Sequence, residues 1–167
     1  MKIDDYRRIV HEDIAVACEL NSSKDSEEFL AYATGLLING EEFDDFVECH
    51  CEGGTPGSAG FYCIDGYSID ETDGSCCVFI VDYHGSDAVD NIIAKDIEAA
   101  FNKIRRFVEK SIKTELFREI KNRSAMEFSR DHLNFNNDSI TKFRFYLLTD
   151  AFNRQRAKTI KDGTING

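Results

Sequence analysis

The 167-residue sequence has no long hydrophobic run, a single proline and few basic residues in its first half. Its apolar runs fall far short of the roughly 20 residues that a transmembrane helix needs, so no bilayer-spanning helix is predicted. The N-terminal stretch, MKIDDYRRIVHEDIA, is charged and lacks the apolar core of a secretory signal. We therefore expect a cytoplasmic protein with no membrane partner, whose six cysteines are reduced thiols.

The scarcity of basic residues is confined to one half of the chain. Residues 1–90 contain 21 Asp and Glu against 4 Lys and Arg, whereas residues 91–167 contain 10 against 16. DNA carries dense negative charge, so the acidic half argues against general nucleic-acid binding. The basic half, residues 91–167, leaves a local contact with DNA open.

Composition indicates one soluble globular domain spanning residues 1–167, with 42% hydrophobic and 31% charged residues. The only proline lies in the clearest loop, residues 53–58. Residues 150–167 are basic and weakly patterned, so we interpret them as a C-terminal segment or linker. We expect the sequence to be the N-terminal domain of a longer protein, with its downstream domain as a partner. Homo-oligomerisation is left open.

Hydrophobic periodicity predicts an alternation of helices and strands. The predicted helices are residues 3–20, residues 88–112, residues 114–130 and a second helix that starts after Asp25 or Ser26 and ends at Asn39. Asp25 or Ser26 is the predicted N-cap of that second helix. The predicted strands are 60–70 and 76–84, joined as a hairpin by a turn at 71–75, and 140–148. Residues 41–52 fit a short helix or a strand equally well. This order predicts a mixed α/β or α+β domain.

The hairpin contains the most specific group of candidate catalytic residues in the sequence. An apolar run of the first strand ends at Asp65, the apolar run of the second strand ends at Asp82, and His84 follows two residues later. Two carboxylates at one rim of a sheet could bind Mg²⁺ or Mn²⁺, which activates water and neutralises a scissile phosphate. A protonated His84 would add positive charge for the developing anion. Acids at strand ends and a histidine in a turn are also common on any protein surface, and that interpretation stays open.

A second cluster, Glu48-Cys49-His50-Cys51-Glu52, superficially resembles part of a zinc knuckle. Structural zinc sites space their cysteine pairs by two to four residues, and adjacent side chains on a strand point apart. We therefore expect no zinc. His11 and His132 are interpreted as solvated histidines. The basic side chains Arg144, Arg154, Arg156, Lys158 and Lys161 fit a phosphate-facing patch or an ordinary solvated face.

The segment IDGYSIDETDG, followed by VFIVDYHG, a long helix and a strand ending in LLTD, resembles the N-terminal region of abortive-infection phage-resistance (AIPR) proteins. The resemblance runs from about Phe29 to about Lys158. It implies a bacterial phage-defence protein that is longer than this chain.

That region is in turn similar to PD-(D/E)XK nucleases of the type IV restriction class. The resemblance implies a restriction-endonuclease-like α/β fold, with a mixed central sheet, a β-hairpin core and flanking helices. Ile64-Asp65-Gly66 matches the first motif strand, whereas Asp82-Tyr83-His84 stands where Gln-x-Lys is expected. Leu30 replaces the helix glutamate. The resemblance therefore implies a degenerate or weak Mg²⁺- or Mn²⁺-dependent DNA endonuclease in which Asp65 and Asp82 bind the metal and His84 assists. The alternative is a non-catalytic domain that senses a phage component or docks the rest of its own chain.

Overall fold

The predicted hairpin is present and lies at the centre of the molecule. The computed structural model describes residues 2–86, 88, 90–134, 139–153 and 164–165. Its helices and strands are α1 (Ile3–Asn21), α2 (Asp25–Asn39), β1 (Val47–Gly53), β2 (Tyr62–Asp70), β3 (Ser75–Asp82), α3 (Ala94–Lys113), α4 (Arg123–Glu127) and β4 (Lys142–Thr149). A 3₁₀ turn at Leu116–Arg118 and a π-helical turn at Phe128–His132 flank α4.

The four strands form one mixed sheet in the order β1-β2-β3-β4. β1 and β2 are antiparallel, as are β2 and β3, while β4 runs parallel to β3. A parallel neighbour requires a long crossover, and the segment containing α3 supplies it. The predicted α/β fold, with its mixed central sheet, hairpin core and flanking helices, is confirmed.

Strand β3 is buried on both of its faces. Val78 and Ile80 belong to the hydrophobic cluster that includes α3, whereas Cys77 and Phe79 belong to the cluster that includes α1 and α2. Such continuous burial requires the apolar sequence SCCVFIV, in which both alternating sets of side chains are apolar or small. The sheet is thus a central layer with α1 and α2 on one side and α3 and α4 on the other.

The third long helix begins later than predicted. The pattern indicated a helix from residue 88, but α3 begins at Ala94. Asn91 instead forms a parallel bridge with Phe152. The backbone N–H of Ile92 donates to the carbonyl of Phe152 at 3.2 Å, and the N–H of Phe152 donates to the carbonyl of Asp90 at 2.8 Å. This tertiary pairing holds the backbone before α3 in an extended conformation, which the local pattern could not reveal.

The predicted helix over 114–130 was wrong as a continuous element. Thr114 is extended, and its backbone N–H donates to the carbonyl of Lys110, which ends α3. The next helix, α4, has its N-cap at Asn122, whose side chain accepts the backbone N–H of Ala125 at 3.0 Å. Because an asparagine cap of this kind favours a helix start, the segment divides into short turns.

Two other boundaries depend on local chemistry. The undecided segment 41–52 contains the start of β1, where Cys49 and Cys51 are buried in alternation with exposed neighbours. The cap of α2 is Lys24, because its backbone N–H donates to the side chain of Glu27 at 3.1 Å, rather than Asp25 or Ser26.

Parts of the polar loop at 134–138 and of the basic segment 151–167 lie outside the described residues, among them Arg154, Arg156, Lys158 and Lys161. Of that basic group Arg144 is described, and its guanidinium lies 3.7 Å from the carboxylate of Asp73. Within the described ranges, no helix combines the length and apolar character that crossing a membrane requires.

Candidate functional site

Asp65 lies at an irregularity in the sheet. Two residues of β1, Cys49 and His50, stand opposite the single residue Asp65, so the β1–β2 register shifts there. A bulge of this kind interrupts the backbone ladder and redirects side chains. The carboxylate of Asp65 replaces part of the ladder, since its Oδ2 accepts the backbone N–H of Val81 on β3 at 2.7 Å. One oxygen of the predicted metal ligand therefore has a structural role.

The glycine that follows Asp65 has a packing role. A Cβ at Gly66 would lie 2.2 Å from Cζ of Phe46 and 3.0 Å from the carbonyl oxygen of Val47. A hydrogen in place of a side chain lets the Phe46 ring lie directly over β2. The Ile-Asp-Gly motif is therefore explained in this chain by packing and hydrogen bonding, whatever its chemistry.

The second oxygen of Asp65 faces His50. Its Oδ1 lies 2.6 Å from Nδ1 of His50, and the hydrogen bond raises the pKa of His50 against the opposing effect of burial. Cys63 completes a compact group, in which one ligand atom from each of the three residues lies within 4.8 Å of the others. Burial, reinforced by the charges of Asp65 and Glu52, raises the pKa of Cys63 to about 12. The group thus holds a histidine–carboxylate pair beside a neutral thiol.

Asp65 shares its surroundings with acids from α2. The pKa of Glu48, two residues before His50, is raised first by burial and then by the negative charges of Glu27, Asp65 and Glu28. Glu27 and Glu28 belong to the first turn of α2. These interactions place Asp65 on the side of the sheet that carries α1 and α2.

Asp82 and His84 form a different group. Nε2 of His84 lies 3.2 Å from the carboxylate of Asp82, and Nδ1 lies 3.3 Å from the carboxylate of Asp90. The hydrogen bond with Asp82 raises the pKa of His84 despite partial burial, and the charges of Asp82, Asp150 and Asp90 act in the same direction. An imidazole between two carboxylates is best satisfied as the imidazolium, in which both nitrogens donate.

This second group borders a cleft of about 320 Å³ between the end of β3 and α3. Its lining includes Asp82, His84, Asp96, Ala100 and Lys103. Asp82 follows Ile80 by two residues on β3, and Ile80 packs in the α3-side cluster, so strand alternation directs Asp82 to the same side.

Asp65 and Asp82 therefore have different hydrogen-bond partners. The structure brings Asp82 and His84 together on the α3 side, and it brings Asp65 together with His50 and with Cys63, whose side chain belongs to the α3-side hydrophobic cluster. Sequence reasoning paired the two acids because both lie near strand ends. It missed His50, whose approach to Asp65 depends on the register shift between β1 and β2, and Cys63, which lies two residues before Asp65 on the same strand.

Asp150, directly after β4, has hydrogen-bond partners on α1 and on the segment that follows β3. Its side chain is 3% exposed. Its oxygens accept the backbone N–H groups of His84 at 2.8 Å and Gly85 at 3.1 Å. Arg7 and His11 of α1 contact the same carboxylate at 3.3 and 2.9 Å. Asp150 therefore connects α1 to the ends of β3 and β4 through hydrogen bonds. The strand ending LLTD was visible in the sequence, but its partners were not.

The hydrogen bonds and cations determine the charge state of Asp150. Burial favours the neutral acid, but the backbone donors His84 and Gly85, with the charges of Arg7 and His11, outweigh it and lower the pKa of Asp150. The carboxylate is thus ionised and structural.

The expected separation of the Cys-His-Cys residues is present. Cys49 and Cys51 are buried, while the side chain of His50 is 61% exposed. His50 turns instead toward Cys63 and Asp65. His11 is also not simply solvated, because its ring bonds to Asp150 and is 14% exposed. His132 lies against the ring of Tyr67.

Comparison with known proteins adds one decisive finding. The family described as "Abortive infection phage resistance protein N-terminal domain" matches residues 29–167. The chain belongs to this family. The match begins within α2 and includes the entire sheet, so it covers both groups of candidate residues. The family description supports a domain of a phage-defence protein of the abortive-infection kind. No curated protein and no solved structure matches the chain.

The Asp150 contacts predict a large loss of stability on neutralisation. Asp150→Asn removes a buried charge and leaves Arg7 without its anionic partner, so we expect a loss of about 3 kcal/mol of unfolding free energy. Glu12→Gln is the control, because Glu12 pairs with Arg8 on the exposed surface of α1 and should change stability by less than about 0.5 kcal/mol. Urea unfolding at neutral pH measures both.

The sign of the pH dependence follows from the lowered pKa of Asp150. Its contribution is complete above the unfolded pKa of about 3.9 and is lost as the pH falls through the lower folded value. The wild-type protein should therefore lose more stability on acidification than Asp150→Asn. Equal stability of the two proteins at neutral pH would contradict this assignment.

Proposed function

We propose that this domain serves phage defence as a nuclease-like scaffold that does not cleave DNA, and that its role is recognition or assembly. The observation that carries the proposal is the division of the expected site into two groups. Asp65 is engaged by His50 and Val81, while Asp82 and His84 pair with each other. Joint binding of one Mg²⁺ requires carboxylate oxygens near a common octahedral centre. Each acid instead makes its side-chain contacts within its own group, which supports a role other than joint metal binding.

Similarity to PD-(D/E)XK nucleases is part of the same proposal. A mixed sheet with a central hairpin and flanking helices is compatible with a restriction-endonuclease-like ancestry. The family lysine position carries His84, which two carboxylates already neutralise. The positive charge that would assist a developing anion is therefore compensated before any phosphate arrives.

An assembly role is favoured by the exposed edge of the sheet. Within the described residues, β4 pairs with β3 alone, so its outer edge presents backbone donors and acceptors. Phe143, Phe145 and Leu147 on this strand are only partly buried. The downstream part of the same protein or a second copy of this chain is the proposed occupant of this edge.

A second candidate function is Mg²⁺- or Mn²⁺-dependent DNA cleavage by Asp65, Asp82 and His84, with DNA approaching the basic half, residues 91–167. The specific feature in its favour is the fixed orientation of the Asp65 carboxylate, whose side chain is 14% exposed.

A cleavage assay separates the two candidates. Supercoiled plasmid incubated with the protein and Mn²⁺ or Mg²⁺ should stay intact, and calorimetry should show no Mg²⁺ binding that depends on Asp82. Nicking that disappears in both Asp65→Asn and Asp82→Asn, but persists in the control Asp73→Asn, would contradict the proposal. Asp73 is suited as a control because it lies in the turn of the hairpin, where its carboxylate accepts the N–H of Ser75.

Hydrogen exchange tests the assembly role. The amides of β4 that face away from β3 should exchange quickly in the isolated domain and slowly in the longer protein or in an oligomer, because a docked segment would occupy them. The amides of β3, which is paired on both sides, are the internal control and should be slow throughout. Equal exchange of the β4 edge in all these forms would argue against docking there.

A further inference from the structure

His50, Cys63 and Asp65 offer three different donor atoms at one point of the sheet: an imidazole nitrogen, a sulfur and a carboxylate oxygen. We propose that this triad binds a borderline divalent cation, with Zn²⁺ as the best fit, through His50 Nδ1, Cys63 Sγ and Asp65 Oδ1. The inference goes beyond the proposed function, because it concerns a different ligand set and does not depend on DNA or on phage defence. It also departs from the expectation of no zinc, which rested on the spacing of Cys49, His50 and Cys51 and on the interpretation of Cys63 as a buried apolar thiol.

The geometry is close to that of a zinc site. Zinc bonds of about 2.0–2.3 Å in a tetrahedral arrangement place neighbouring ligand atoms about 3.3–3.8 Å apart. The three donor atoms all lie within 4.8 Å of one another, and His50 Nδ1 and Asp65 Oδ1 are 2.6 Å apart. Small rotations of the side chains would open the histidine–carboxylate contact and admit the cation.

The donor set selects the class of metal. A thiolate and an imidazole favour zinc and similar transition metals, whereas Mg²⁺ prefers oxygen ligands alone. Binding would replace the Sγ–H bond of Cys63 by an Sγ–metal bond and release the proton to solvent. Three protein ligands leave a fourth tetrahedral position for water, as in zinc sites that act on substrates.

The surroundings support the site in two ways. Oδ2 of Asp65 accepts the backbone N–H of Val81, which fixes the carboxylate and leaves Oδ1 for the metal. The side chain of His50 is 61% exposed, so a cation can enter from solvent, while Cys63 is buried behind it. A bound metal would connect β1 to β2 across the bulge, at the point where the backbone ladder is interrupted.

Cobalt binding provides a direct test. Reduced protein titrated with Co²⁺ should develop the near-ultraviolet charge-transfer absorption of a cobalt–thiolate bond at a one-to-one ratio, and Zn²⁺ should abolish it. Cys63→Ala should lose this absorption and bind Zn²⁺ at least about tenfold more weakly in competition with a chelator. Cys51→Ala is the matched control, since Cys51 is a buried thiol on the neighbouring strand outside the triad, and it should keep both properties.

His50→Gln is a second variant that tests the site if Cys63→Ala does not fold, because the exposed position of His50 should tolerate the change. It should weaken Zn²⁺ binding by a similar factor. Absence of the thiolate band in the wild-type protein, or its persistence in Cys63→Ala, would overturn the proposal. None of these results bears on DNA cleavage, so the metal site and the proposed function fail or succeed separately.

Discussion

Burial of β3 on both faces is the constraint on which the rest of the structure depends. One set of its side chains packs against α3 and the other against α1 and α2. A slip of one residue would exchange the two sets, so that each would face the helices that fit the other. The same alternation determines where polar residues emerge at its end. The side chain of Asp82 points to the α3 side, because it continues the alternating set Cys76, Val78 and Ile80 that packs there.

At the bulge between β1 and β2, Cys49 and His50 stand opposite the single residue Asp65. The Asp65 carboxylate accepts the backbone N–H of Val81 and contacts His50. The two acids that look alike in the sequence therefore belong to separate electrostatic settings, one with a histidine and a thiol and the other with a histidine between two carboxylates.

Much of the fold could be predicted from the sequence because its signals are local. Two apolar runs joined by a polar turn at 71–75 indicated the hairpin, and helical periodicity indicated α1, α2 and most of α3. The errors arose where tertiary contacts override local preference. The bridge from Asn91 to Phe152 delays α3, and the cap at Asn122 divides the following segment. The family was also accessible, because motifs such as IDGYSIDETDG are contiguous.

The candidate site was predicted only in part. Asp82 and His84 are near neighbours in sequence, so their contact could be anticipated. The group around Asp65 depends on a shifted register, and the contacts of Asp150 span more than 130 residues to α1.

The most direct test of the separation of Asp65 from Asp82 uses His50 and His84 as reporters in NMR titrations. Asp65→Asn should lower the pKa of His50 and leave that of His84 unchanged. Asp82→Asn should lower the pKa of His84 and leave that of His50 unchanged. A shift of both histidines in either variant would show that the two acids share one site, contrary to this account.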